Sequence, residues 1–170
     1  MNKALALKQI LGALQHDLDG LQAAVKVAHE SATHGESVAE NKYDTRGLEA
    51  SYLAHGQAKR AAEIAASLSV FEAITPVTLN LTSLVVAISS LVELEDQDGV
   101  ARWVWLGSDG GGVKFECEGH EVTVITPQSP LGAAWMGRPL GDVFDLRPKG
   151  SSSARLRVDR QLAYKIIALY

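Results

Sequence analysis

The chain has 170 residues, 46% of them hydrophobic, enough for one ordinary domain or two small ones. A net charge of −4 and a pI near 5.7 leave no broad basic face, which argues against direct, charge-driven binding of nucleic acid. The single cysteine, Cys117, excludes an internal disulfide and a metal–thiolate cluster, and its strand-like setting suits a small buried hydrophobe.

From the first residues the apolar side chains fall in steps of four and three: Leu7, Leu11, Leu14, Leu18, Leu21, Val25 and Ala28. That spacing lays one seam along a helix and asks for a partner helix. It predicts a first helix from about Asn2 to Thr33, roughly 45 Å long at 1.5 Å per residue. Gly12 and Gly20 each weaken that helix by about 1 kcal/mol relative to alanine, so burial of the seam must offset them. No signal-peptide core precedes the heptads.

The ladder stops at a corner, His34-Gly35-Glu36-Ser37-Val38-Ala39-Glu40-Asn41, and then resumes. A second helix is expected from Ser37 or Val38 to Phe71, with the seam Tyr43, Gly47, Ala50, Ala54, Gln57, Ala61, Ile64, Leu68 and Phe71. Two long helices joined by a short corner form an antiparallel coiled-coil hairpin.

Composition changes at Ala73, where helix formers give way to Thr, Val, Ile and Pro76. The uncharged stretch Ala73–Val92 contains Pro76, Asn80 and several Ser and Thr, which makes it too polar for a membrane span. The expected compartment is therefore the cytoplasm, with no membrane partner. Strand-like runs follow at Leu84–Glu93 and Ala101–Leu106, with Asp98-Gly99 between them as a hairpin turn. Val113–Cys117 and Glu121–Ile125 flank Glu118-Gly119-His120 as a second hairpin. Ser129 as N-cap and Pro130 at the first helical position open a short helix that Gly137 closes. Asp142–Leu146, Ala154–Val158 and part of Ala163–Ala168 complete a small sheet. The expected class is α+β: a helical hairpin over 1–72, a linker over 73–80 and a β-rich domain over 81–170.

The corner admits two chemistries. Glu36 and Glu40, at a hairpin tip, offer hard oxygen ligands to a magnesium ion, which often takes only one or two carboxylates. Such an ion lowers the pKa of its water and supports hydrolysis. Alternatively, Ser37-Val38-Ala39-Glu40 is a capping box, with the glutamate reaching back to the helix start. His29 and His34, five apart, do not share a helix face, so a zinc pair is not indicated. Lys42, Arg46, Lys59 and Arg60 make either a basic stripe beside the acidic tip or a solvated flank with charge pairs. Trp103, Trp105 and Trp135 could line a peptide pocket, but in a small β-rich domain they more often form the core.

Three features together resemble the Gre family of bacterial transcript-cleavage factors. They are His34-Gly35-Glu36 with Glu40-Asn41 and Tyr43; Ile125-Thr126-Pro127-Gln128-Ser129-Pro130-Leu131-Gly132 leading to Met136-Gly137 and Leu140-Gly141-Asp142; and the order of helices before strands. The run Glu40–Gly47 resembles a divergent branch of that family. The resemblance implies an FKBP-like carboxy-terminal domain that docks on the rim of RNA polymerase, and a coiled coil that enters its secondary channel as a monomer. It also implies that the tip helps hold the second magnesium ion of the polymerase active site, with Glu36 and Glu40 as metal-positioning residues. The protein would then not be an enzyme alone; it would stimulate the polymerase's own cleavage of backtracked transcript RNA. Lys42, Tyr43, Arg46, Ser129, Pro130, Leu131 and Gly132 are the partner-binding candidates.

The chain departs from the family pattern at the tip. With His34-Gly35 and Tyr43 held in register, the second acidic position falls on Ala39, and Glu40 stands one residue late. One residue turns a helical side chain by about 100°. This displacement makes a non-cleaving secondary-channel regulator the alternative. A peptidyl-prolyl isomerase or chaperone module is a third possibility, resting only on the implied fold of the head.

Overall fold

The computed structural model describes residues 1–33, 46–75, 85–145 and 163–170. Two long helices come first, α1 (Lys3–Thr33) and α2 (Arg46–Glu72). They are followed by β1 (Leu91–Asp96), β2 (Ala101–Leu106), β3 (Lys114–Cys117), β4 (His120–Ile125), α3 (Pro130–Trp135), β5 (Val143–Asp145) and β6 (Ala163–Leu169). The helices-then-strands order is that expected from the heptads and the change in composition at Ala73. The expected start of α2 at Ser37 or Val38, and the expected strand Ala154–Val158, lie outside the described residues.

Contacts divide the chain into two compact units. One is Leu11–Ser69; the other joins Met1–Ile10 to Val70–Tyr170. The first ten residues of α1 thus belong with the strands, although the sequence places them in the helical ladder.

Among the described residues of the helical unit, the expected seam positions lie on the buried faces. Leu14, Leu18 and Ala28 on α1 and Ala61 and Ile64 on α2 are buried. Leu11, Leu21 and Val25 and, opposite them, Ala54, Gln57 and Leu68 are half-buried. Residues 16–21 of α1 share a groove with Arg60 and Ile64 of α2. From that level to the end of α1, and back to the start of α2, is roughly 20 Å each way at 1.5 Å per residue. An antiparallel course therefore brings the two ends level. Ser67 is buried in the pairing and donates its hydroxyl to the Glu63 carbonyl at 3.2 Å, which satisfies it within its own helix. On the outer surface, Arg60 pairs with Glu63 at 3.2 Å, both side chains more than half exposed, so the pair contributes little.

The second unit is built on a six-stranded sheet of order β3-β4-β2-β1-β6-β5. β2 and β4 run parallel, and every other neighbouring pair is antiparallel. Directly opposite residues share a face, so the registers sort the side chains into two sets. Val92, Leu94, Val104, Leu106 and Ile166 line one face and pack with Trp135 of α3, Val86, Phe144 and Tyr164. Leu91, Trp105, Phe115, Val122 and Val124 line the other face and are also buried, as are Ala6, Leu7, Ile10 and Phe71. The backbone N–H of Asn2 donates to Glu118 Oε1 at 3.2 Å and so ties the start of α1 to the β3–β4 turn.

Local chemistry sets the turns. Asp96 Oδ1 accepts from the N–H groups of Asp98 and Val100 at 3.0 and 2.9 Å, and Gly99 takes φ +75° to close the β1–β2 hairpin. Glu118 and Gly119, at φ +50° and +82°, form the two-residue turn between β3 and β4, with Cys117 opposite His120. His120 is therefore the first residue of β4 rather than part of the turn.

One expected strand is corrected. The apolar run Leu84–Glu93 is not a single strand: Val85 makes an isolated bridge to Pro139, a turn follows, and β1 starts only at Leu91. The cause is Ser89, which sits at φ +68° and cannot continue an extended chain. Its N–H donates to Leu106 O, while Ser90 Oγ accepts from the Ala87 N–H.

Candidate functional site

Two regions carry the candidate residues. At the corner, Glu36, Glu40, Lys42 and Tyr43, with His34, lie outside the described residues. Arg46 opens α2.

In the second unit the segment from Thr126 to Asp142 is fully described. Ser129 is the N-cap of α3: its Oγ donates to the Thr126 carbonyl at 2.7 Å and accepts from the Gly132 N–H at 3.0 Å. Pro130 follows in the first turn, where the missing N–H costs nothing. Gly132 is buried, and a Cβ there would run into the Thr126 carbonyl oxygen, so only glycine lets the helix start so close to the preceding strand end.

At the other end of α3, Gly137 takes φ +77° and its N–H donates to Val86 O at 2.8 Å. Arg138 bonds the Ala134 carbonyl, pairs with Asp142 at 2.7 Å and lies 5.4 Å from the Phe144 ring centre. Gly141 N–H and Asp142 O then exchange bonds with Ile166 of β6 at 2.9 and 3.0 Å. The segment is thus a strap that fixes α3 on one face of the sheet. Ser129 and Gly132 are used up inside it. Pro130 is exposed and Leu131 half-buried, so these two of the four candidates stand at the surface.

Leu131 borders a cavity of about 430 Å³. Leu94, Ala101, Val104, Ile125 and Leu131 supply its aliphatic lining; Thr123 and His120 add polar groups, and Arg102 and Glu121 supply charge at its walls. The sequence reading missed Leu94, Val104 and Ile125 as site residues. The strand alternation placed them on a face, but only the sheet order brings β1, β2 and β4 side by side beneath α3.

The tryptophans divide. Trp105 and Trp135 are fully buried, the core role expected of them. Among the described residues neither indole N–H has a hydrogen-bond partner. Trp103 is half-buried, borders the cavity, and has the His120 and Tyr170 rings 5.0 and 5.7 Å away. The cavity is therefore mixed in character: an aliphatic floor is bordered by polar and charged side chains, with one tryptophan at its margin. Cys117 is buried, and burial, followed by the neighbouring Glu118 carboxylate, pushes its thiol pKa up. It is an inert packing residue.

No family model and no curated protein matches the chain. Among solved structures, the GreA factor homolog 1 (Gfh1) protein of Thermus thermophilus is similar at 22% identity, over 96% of this chain and 94% of that one, with a TM-score of 0.37. A structure of the transcription factor Gfh1 gives 23% identity over 98% and 94%, with a TM-score of 0.38. Thermus aquaticus Gfh1 gives 22% over 96% and 92%, with a TM-score of 0.36. No helix among the described residues is long and apolar enough to cross a membrane.

Proposed function

We propose that this chain is a Gre-like transcription elongation factor that binds RNA polymerase through its secondary channel and promotes cleavage of backtracked transcripts. The observation that carries the reading is the conjunction of a two-helix unit, whose connection holds His34-Gly35-Glu36 and Glu40-Asn41, with the Ser129-Pro130-Leu131-Gly132 strap of the second unit. In that strap, Ser129 and Gly132 fix the helix start that leaves Pro130 exposed and sets Leu131 at the border of a cavity with an aliphatic floor and polar walls, a suitable docking surface for an amphipathic side chain of the polymerase rim. Lys42, Tyr43 and Arg46 would meet the channel wall.

Glu36 and Glu40 would share a magnesium ion with the polymerase active site, since two carboxylates are too few to hold that ion alone. When bound, the ion supplies an activated water; the two carboxylates hold and orient it. The protein would act in the cytoplasm as a monomer.

The test is transcript cleavage by stalled, backtracked elongation complexes. The wild-type protein should accelerate it, and Glu36→Ala with Glu40→Ala should abolish the acceleration while polymerase binding persists. No acceleration by the wild type would sink the cleavage reading.

A second reading has its own support in the sequence. Glu40 stands one residue later than the family pattern places its second acidic position, about 100° around a helix. A non-cleaving channel regulator fits that displacement. It would bind polymerase and compete with other channel factors, and transcript cleavage would stay at the basal rate.

A further inference from the structure

We infer that the helical unit contains a built-in compliant joint, formed by Gly20 on α1 and Gly56–Gln57 on α2, at which the paired helices open locally while the stretch from Leu11 to Leu18 with Ala61 to Ser69 stays closed. Gly20 and Gly56 both lie in helix interiors, and a Cβ built on either meets no atom within 4 Å. Neither has a positive φ. No close approach and no turn requires a glycine at these positions, so its remaining effect is the intrinsic one. Each weakens helix formation about fivefold relative to alanine.

The two positions are close along the helix pair. Gly20 shares a groove with Arg60. Gln57 and Gly56 precede Arg60 by three and four residues, roughly 5–6 Å along the axis.

An independent observation marks the same level. Gln57 Oε1 is buried without a hydrogen-bond partner among the described residues. A buried, unsatisfied carbonyl oxygen is a local penalty that opening relieves, because water can then reach it. The apolar seam also thins there. The adjoining stretch holds the buried Leu14, Leu18, Ala61 and Ile64, with only its end positions Leu11 and Leu68 half-buried, whereas Leu21, Val25, Ala54 and Gln57 are all half-buried. Gly12 is a third interior glycine with open space around its Cβ, but it lies between Ile10 and Leu14, at 0% and 1% exposure, where packing offsets its effect. The joint is therefore where weak backbone propensity, an unsatisfied polar atom and thin packing coincide. A helix pair with such a joint bends by local opening. The inference holds whichever partner the helical unit meets.

Native-state amide exchange on the full chain tests it. In the wild type, amides of residues 19–25 and 56–59 should exchange at least tenfold faster than those of 12–18 and 61–67. The double variant Gly20→Ala/Gly56→Ala should slow the fast set by about fivefold per glycine, with the strands unchanged. Gln57→Leu should slow it as well. Equal exchange in the two stretches of the wild type, or no slowing in the double variant, overturns the joint. Gly20 and Gly56 are exposed, so the alanine variants stay decisive even if Gln57→Leu disturbs the pairing.

Discussion

Single residues in this chain do work that their chemical type alone does not reveal. In the loop after β2, Gly107 and Gly110 serve packing. A Cβ on Gly110 would lie 2.8 Å from the Phe71 ring, and one on Gly107 would lie 3.1 Å from it. The loop is a cradle for the last buried ring of α2. Gly110 also has φ +72°, a conformation that strains any other residue. Gly110→Ala should therefore lower unfolding free energy by roughly 2 kcal/mol in a denaturant titration, whereas Gly20→Ala, in open space, should raise it. Cys117 supports a pH prediction. Its folded-state thiol pKa is raised, so its contribution to stability is full below the ordinary thiol value and declines as pH rises from there towards the folded value. Unfolding free energies measured from pH 7 to 10 should show this decline in the wild type, and Cys117→Ala should remove that part of it.

At the scale of elements, periodicity and turn chemistry were legible in the sequence wherever a local rule governs. The α1 and α2 seams, the Asp98-Gly99 and Glu118-Gly119 turns, and the Ser129-Pro130 helix start all follow from residues within one or two turns of each other. Leu84–Glu93 was misread because its composition is strand-like throughout. Only the left-handed backbone at Ser89, held by Leu106 O and by the Ser90 cap, breaks the run. The short helix α3 gives an element-scale prediction. Ser129→Ala removes both the cap to Gly132 and the bond to Thr126, and should cost about 1 kcal/mol. Because that cap sets the position of Leu131, the variant should also weaken polymerase binding in a direct titration, if the strap is the docking surface.

For the whole molecule, the heptad ladder suggests one helical domain followed by one β domain, but the contacts cut the chain differently. Met1–Ile10 folds with the sheet. Ile10 is fully buried, so Ile10→Ala should cost roughly 3 kcal/mol. The loss should be seen in the unfolding transition followed by tryptophan fluorescence, although Ile10 is remote in sequence from every tryptophan. The sequence by itself determined the two long helices, most of the strands and the capped short helix, because each depends on neighbours a few positions away. The tertiary structure alone decided that the ladder's first turns belong to the sheet, that Leu94, Val104 and Ile125 line one cavity with Leu131, and that Ser129 and Gly132 serve the strap. Those outcomes depend on strand order and close approach between segments far apart in the chain, which no local pattern encodes.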